Sequence, residues 1–311
     1  MKATVVGAGN VGATTAEYLL REGLADVYLV DVVGGLAAGK ALDMAQAAPV
    51  LGHSCRITGG TDYGPAEGSD LVVITAGIAR KPGMSRDDLL KINGGIMAQV
   101  AQSIWRACPE AVVIVVSNPL DVTTHIFHET SGFPTHRVMG MAGVLDTARF
   151  RTFIAWEVGG SAEDVSAMVL GGHGDAMVPL ASQASVSGVP LTQLIDDDAI
   201  ARLVQRTRDG GAEVVGLLKT GSAFYAPAAS VVQMASSILR DEKRLLPVCA
   251  YVSGQYELHN LFLGVPARLG RRGVEEVVEV QLTGDELAAL HKSAEHVRSA
   301  IEAWDAIKGT V

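Results

Sequence analysis

The hexapeptide GAGNVG at residues 7–12 stands between KATVV (2–6), an apolar run that reads as a short buried strand, and VGATTAEYLLRE (11–22), which has helical character. A strand that runs through a glycine-rich turn directly into a helix restricts the chain to a narrow set of βα arrangements. Gly7 permits the tight turn, Gly9 lets the backbone approach a pyrophosphate, and Gly12 lets helix and strand pack closely. The helix N-terminus adds free N–H groups and a partial positive charge. G-x-G-x-x-G alone is a weak signal. Asp31 strengthens it, closing the next strand-like run, DVYLVD (26–31), 19 residues past Gly12. A carboxylate there would accept hydrogen bonds from a ribose diol. The alternative is a structural turn with a capping aspartate, and the full βαβ context favours the dinucleotide. Asp31 would repel a 2′-phosphate, and Val32 and Val33 supply no arginine to receive one, so NAD fits better than NADP.

The same alternation continues. Residues 36–48 are Ala-rich and helical, DLVVIT (70–75) and AVVIVVS (111–117) are apolar throughout, and a helical stretch, 88–107, separates them. Strands without a polar face, alternating with helices, imply a parallel sheet covered on both sides. Right-handed crossovers then give an α/β, Rossmann-type doubly wound fold. The second half reads as mixed α+β. It has helices at 145–158, 198–219 and 223–240, and strands at 165–170, 246–253, 260–269 and 274–281. A final helix, 283–307, opens with a capping-box pattern, Thr283 and Glu286. The boundary is expected near residue 142, with a dinucleotide-binding unit at 1–142 and a substrate unit at 143–311.

Composition narrows the function classes. A net charge of −9 argues against a nucleic-acid surface, which needs clustered Lys and Arg. No apolar run reaches bilayer length, and no signal-peptide layout opens the sequence, so a cytoplasmic protein without membrane contact is expected. Cys55, Cys108 and Cys249 are far apart and form no CxxC pattern, which speaks against a disulfide framework or a zinc site. His53, His125, His128 and His136 have no convincing ligand spacing, and no metal is expected.

The chemistry-bearing residues lie in the middle of the chain. In LGGHGDAMVP (170–179), His173 follows an apolar run and is flanked by Gly171, Gly172 and Gly174. It reads either as a plain loop histidine or as a proton carrier in need of a partner. Asp175 is near in sequence, but two residues along extended backbone point it away, and it reads as a turn or supporting residue. Asp146 and Arg149, in LDTARFR, share one face of a predicted helix at i, i+3. They could form a simple intrahelical ion pair, or offer a carboxylate to a histidine and a guanidinium to an anion. ARKPGMSRDD (79–88) carries Arg80, Lys81 and Arg86 on a loop that follows a sheet strand. It is either a solvated basic loop or part of a site at the carboxyl edge of the sheet, where α/β folds bind ligands. SNP (117–119) leaves a strand at the same edge, with Asn118 able to donate and accept.

GAGNVG, ARKPGMSR, SNPLD, GVLDTARFR, GGHGD and KTGSAFYAPA occur in the order typical of the lactate/malate dehydrogenase family. The chain resembles that family over essentially its whole length, and within it most the lactate-dehydrogenase-like bacterial malate dehydrogenases. The resemblance implies reversible oxidation of (S)-malate to oxaloacetate with NAD. It implies His173 as proton acceptor and donor, Asp146 as the carboxylate orienting it, Arg149 as the clamp on the substrate C1 carboxylate, and Arg86 as the mobile-loop arginine. It implies substrate contacts from Arg80, Asn118 and Ser222, and Lys81 as a solvated neighbour. Asn10, Val11, Thr75, Ala76, Gly77, Asn93, Val116 and Asn118 join Gly7, Gly9, Gly12 and Asp31 as implied NAD contacts. Arg80 stands where malate enzymes of the family carry Arg and lactate enzymes Gln, which points to a dicarboxylate. A homo-oligomer is implied, a tetramer in preference to a dimer. The rival expectations are a lactate or other 2-hydroxy-acid dehydrogenase, which Arg80 opposes, and a non-catalytic NAD-binding protein, which retention of His173, Asp146 and Arg149 opposes.

Overall fold

A computed structural model of the chain describes residues 1–79 and 84–310, without the side chains of Arg86 and Thr310. Arg80 and Lys81, and the Arg86 side chain, therefore lie outside the described residues. The first half contains β1 (Lys2–Val6), α1 (Asn10–Arg21), β2 (Asp26–Val30), α2 (Leu36–Leu51), β3 (Ile57–Gly60), β4 (Leu71–Ile74), α3 (Arg86–Ala107), β5 (Val112–Val115), α4 (Leu120–Ser131) and β6 (Val138–Gly140). These strands are parallel and ordered β6-β5-β4-β1-β2-β3, reversing direction of winding beside β1. Both faces are covered, so β4 and β5 are buried along their full length, as unbroken apolar strands require.

Register aligns the carboxyl ends of the central strands. Val6 pairs with Ile74, and Ile74 with Val115. The ladder runs one residue further: Thr75 N–H donates to Val6 at 2.8 Å, and Val116 N–H to Ile74 at 2.8 Å. Gly7, Thr75 and Val116 thus leave the sheet side by side.

The second half contains α5 (Gly143–Val158), β7 (Val165–Ser166), β8 (Val169–Leu170), β9 (Val178–Pro179), β10 (Ser185–Val186), β11 (Val189–Pro190), α6 (Asp197–Leu218), α7 (Tyr225–Leu239), β12 (Arg244–Ser253), β13 (His259–Gly270), β14 (Gly273–Val277) and α8 (Gly284–Ile307). β12, β13 and β14 form no separate sheet. They extend the first one antiparallel, through the Cys249–Gly140 pairing of β12 with β6, to nine strands. The Thr283–Glu286 capping box is present at the start of α8.

Two sequence expectations change, and two short strands join those expected. The strand at 165–170 is two pieces: β7 pairs with β10, whereas β8 pairs with β9, so the chain changes partner at Ala167 and Met168. The strand at 274–281 ends its regular pairing at Val277, with one further bond from Val278 N–H to the Pro266 carbonyl. β3 and β6 were too short, at four and three residues, to stand out as apolar runs. No helix among the described residues is long and apolar enough to cross a membrane.

Candidate active site

Asp146 joins the residues singled out in the sequence. It lies in the first turn of α5, at the end of the helix that favours negative charge. Its Oδ2 is 2.8 Å from His173 Nδ1 and its Oδ1 accepts from Arg149 Nη1 at 3.0 Å. One carboxylate, 2% exposed, thereby ties the histidine to the arginine. The i, i+3 spacing that puts both helix residues on one face is used for more than an ion pair.

Opposite an ionised carboxylate, Nδ1 carries a proton, which leaves Nε2 for exchange with a substrate. Burial acts to lower the His173 pKa. The charge and hydrogen bond of Asp146 overcome it, against opposition from Arg149, and the net direction is upward from 6.5.

The backbone around the ring is built for close approach. Gly171 and Gly174 have φ of +81° and +126°, a region that side chains disfavour. Gly172 N–H donates to Ser293 Oγ of α8 at 2.8 Å, and His173 N–H donates to Asp121 Oδ2 of α4 at 2.9 Å. Asp121 is buried, and among the described residues its Oδ1 has no hydrogen-bond partner. Burial pushes its carboxyl above the usual range, against the hydrogen bond and charge of His173. Sequence reading passed over Asp121, although it closes the SNPLD motif. A carboxylate directly after the SNP turn, in the first turn of α4, was the available signal.

Arg149 reaches towards α6. A Cβ on Gly210 would lie 3.1 Å from its Cδ, and one on Gly211 3.8 Å from Nη2. The Gly-Gly pair inside α6 weakens that helix, since glycine is a poor helix former, and makes room for the guanidinium.

At the sheet edge, the 7–12 turn has the packing its glycines require. A Cβ on Gly12 would fall 1.8 Å from the Gly7 carbonyl oxygen. Gly9 faces open space, and α1 begins there without a capping side chain. Thr75 Oγ1 donates to the turn, 3.1 Å from both the Val6 and Gly7 carbonyls. Gly12→Ala is expected to force the turn apart and destabilise the protein by about 1–3 kcal/mol, read as a lowered midpoint in thermal unfolding. An unchanged midpoint would contradict this packing.

Asp31 Oδ2 accepts from Ala8 N–H at 2.7 Å and Oδ1 from Val33 N–H at 2.9 Å. The carboxylate is fixed with acceptor capacity left over. Burial and the neighbouring Asp31 push the Tyr63 pKa up to about 12, keeping a neutral hydroxyl near that carboxylate.

The other sequence candidates divide. Asn10, Val11, Ala76, Gly77 and Asn118 are exposed or half-buried along the edge. Val116 is buried in the ladder. Asn93 is buried: it accepts from Ile78 N–H at 2.8 Å and donates to the Ile78 and Asn118 carbonyls at 3.1 and 2.6 Å. Its amide joins the two strand exits. Ser222 lies exposed between α6 and α7, and among the described residues no hydrogen bond ties it to His173, Asp146 or Arg149. No cluster of three or more His, Cys, Asp or Glu among the described residues could hold a metal ion.

Residues 1–140 match the family model of the lactate/malate dehydrogenase NAD binding domain, and 143–307 that of the lactate/malate dehydrogenase alpha/beta C-terminal domain. The chain belongs to the lactate/malate dehydrogenase family. Within that family it is 56% identical over 302 residues to a malate dehydrogenase of Thermomicrobium roseum, covering 97% of each chain. Among solved structures, the malate dehydrogenase of Salinibacter ruber superposes with a TM-score of 0.96 at 50% identity, covering 100% of this chain and 99% of the other. A lactate dehydrogenase of Cryptosporidium parvum, solved with lactic acid and nicotinamide adenine dinucleotide, gives 0.95 at 42% identity, with 98% of each chain covered. Proteins named malate dehydrogenase and lactate dehydrogenase thus share this backbone.

Proposed function

We propose that the chain is an NAD-dependent malate dehydrogenase, interconverting (S)-malate and oxaloacetate. The observation that carries the reading is the buried carboxylate of Asp146, bonded to both His173 and Arg149. It supplies a charged anchor for an acid and a poised proton carrier beside it. When bound, NAD would supply the hydride acceptor for oxidation of the hydroxy acid and the hydride donor for the reverse reaction. The cradle left by Gly7, Gly9 and Gly12, with Asp31 beyond it, suits a dinucleotide. We divide the chain at residue 142 into a cofactor unit and a substrate unit.

In oxidation, neutral His173 takes the hydroxyl proton at Nε2. In reduction, His173 in its charged form returns it, and Asp146 stabilises that form. Arg149 holds the C1 carboxylate, and exposed Asn118 reaches the reacting oxygen. Arg86, at the start of α3, adds positive charge when substrate is enclosed. Ser222 belongs to the outer lining of the pocket. Arg80 pairs with the second carboxylate; with pyruvate it would be enclosed without one, which rejects the monocarboxylate.

The reading also places the protein in the cytoplasm as a homo-oligomer, a tetramer in preference to a dimer. Free Cys55, Cys108 and Cys249 suit a reducing compartment. Leu42, Val50 and Leu51, exposed along α2, suit burial against another copy.

The test is direct: supply (S)-malate and NAD and follow NADH formation. Production of NADH matched by oxaloacetate is expected, and none with (S)-malate would overturn the reading. Arg149→Lys is expected to raise KM for oxaloacetate about 10–100-fold, because a point charge replaces a bidentate fork. Steady-state kinetics at fixed NADH checks this; an unchanged KM would remove Arg149 from the substrate.

A further inference from the structure

Lys40 is outside every role described so far. It sits on α2, and its Nζ donates to the carbonyl oxygen of Ala8 at 2.7 Å, across 32 residues. Ala8 is fully buried at the centre of the glycine-rich turn. Its N–H donates to Asp31 Oδ2, also at 2.7 Å. Ala8 is thus held between a cation on one side of its backbone and an anion on the other.

The carbonyl of Ala8 and the N–H of Gly9 belong to the same peptide unit. An ammonium bonded to that oxygen polarises the unit and makes the Gly9 N–H a stronger donor. The Gly9 position is open, and the first turn of α1 contains no acidic residue and no side-chain cap. Charge balance points the same way. The chain carries a net charge of −9, and Asp31 places a carboxylate against the turn. Among the described residues, Lys40 supplies the only cationic hydrogen bond to residues 7–12.

We propose that Lys40 is a cofactor-binding determinant, fixing the glycine-rich turn and supplying the positive charge that offsets Asp31 where a dinucleotide's diphosphate is held. The proposal rests on the NAD reading. It assigns the diphosphate a charge partner from α2, outside the G-x-G-x-x-G segment itself.

The experiment is an NADH fluorescence titration of the full chain, wild type against Lys40→Met and Lys40→Arg. ADP-ribose and adenosine are tested as displacing ligands, with thermal unfolding measured alongside. Lys40→Met is expected to weaken NADH and ADP-ribose about tenfold, and to reduce the salt dependence of binding. Adenosine, which has no phosphate, keeps its affinity. Lys40→Arg restores most of the loss at an unchanged unfolding midpoint. NADH affinity within about twofold of wild type in Lys40→Met would overturn the proposal. So would an equal loss for adenosine and ADP-ribose, which would reduce Lys40 to a prop for Asp31. Failure of the wild type to bind NADH would overturn the NAD reading and the role of Lys40 with it.

Discussion

Replacing His173 with Asn is expected to lower kcat for oxaloacetate reduction about 10²–10⁴-fold, the usual contribution of a positioned acid–base group, while NADH affinity stays unchanged. Asn can still donate to Asp146 through its amide, so the packing around the 171–174 turn survives. What it lacks is a site that accepts and returns a proton at working pH. Steady-state rates and NADH titration separate the two effects. A variant retaining a tenth or more of wild-type kcat would place the proton on another group. The wild type carries a sign as well. His173 titrates above 6.5 because Asp146 outweighs burial. Reduction needs the charged ring, so its kcat/KM falls as pH rises through that raised pKa. Oxidation needs the neutral ring, so its rate falls as pH drops through it.

Asp146→Asn is the second large effect. Without the carboxylate, burial and Arg149 both lower the pKa of His173, against only the smaller opposing charge of Asp121. The reductive limb should therefore move to lower pH, and kcat/KM for oxaloacetate should fall on the order of 10²–10⁴-fold, as in other His–Asp couples. Arg149 loses the charged partner at 3.0 Å that orients its guanidinium. A pH–rate profile of the variant distinguishes this account from a loss of folding. A reduced rate with an unmoved limb would show Asp146 to be structural only.

The parallel half of the fold was legible because buried parallel strands carry no polar face: DLVVIT and AVVIVVS could be placed without knowing their partners. Asp146 and Arg149 were legible because helical spacing is local. The meeting of Asp146 with His173, 27 residues away, is a tertiary fact. Local spacing raised the pairing as a question, and resemblance supplied an answer. Asp121, Ser293, Gly210 and Lys40 stayed hidden for the same reason. Each acts on a segment distant in sequence: Asp121 on the His173 backbone 52 residues on, and Ser293 on Gly172 121 residues back. Nothing in the surroundings of Ser293, Gly210 or Lys40 marks the contact, and the first-turn position of Asp121 marks the residue but not its partner. The merging of β12–β14 into the first sheet was equally hidden, since it depends on a single pairing between Cys249 and Gly140.

The decisive measurement is kcat/KM of the wild type for oxaloacetate and for pyruvate, each with saturating NADH. Enclosing an unpaired arginine against a methyl group is costly, so oxaloacetate is expected to be preferred by at least about a hundredfold. Equal use of the two acids, or a preference for pyruvate, would contradict the dicarboxylate assignment.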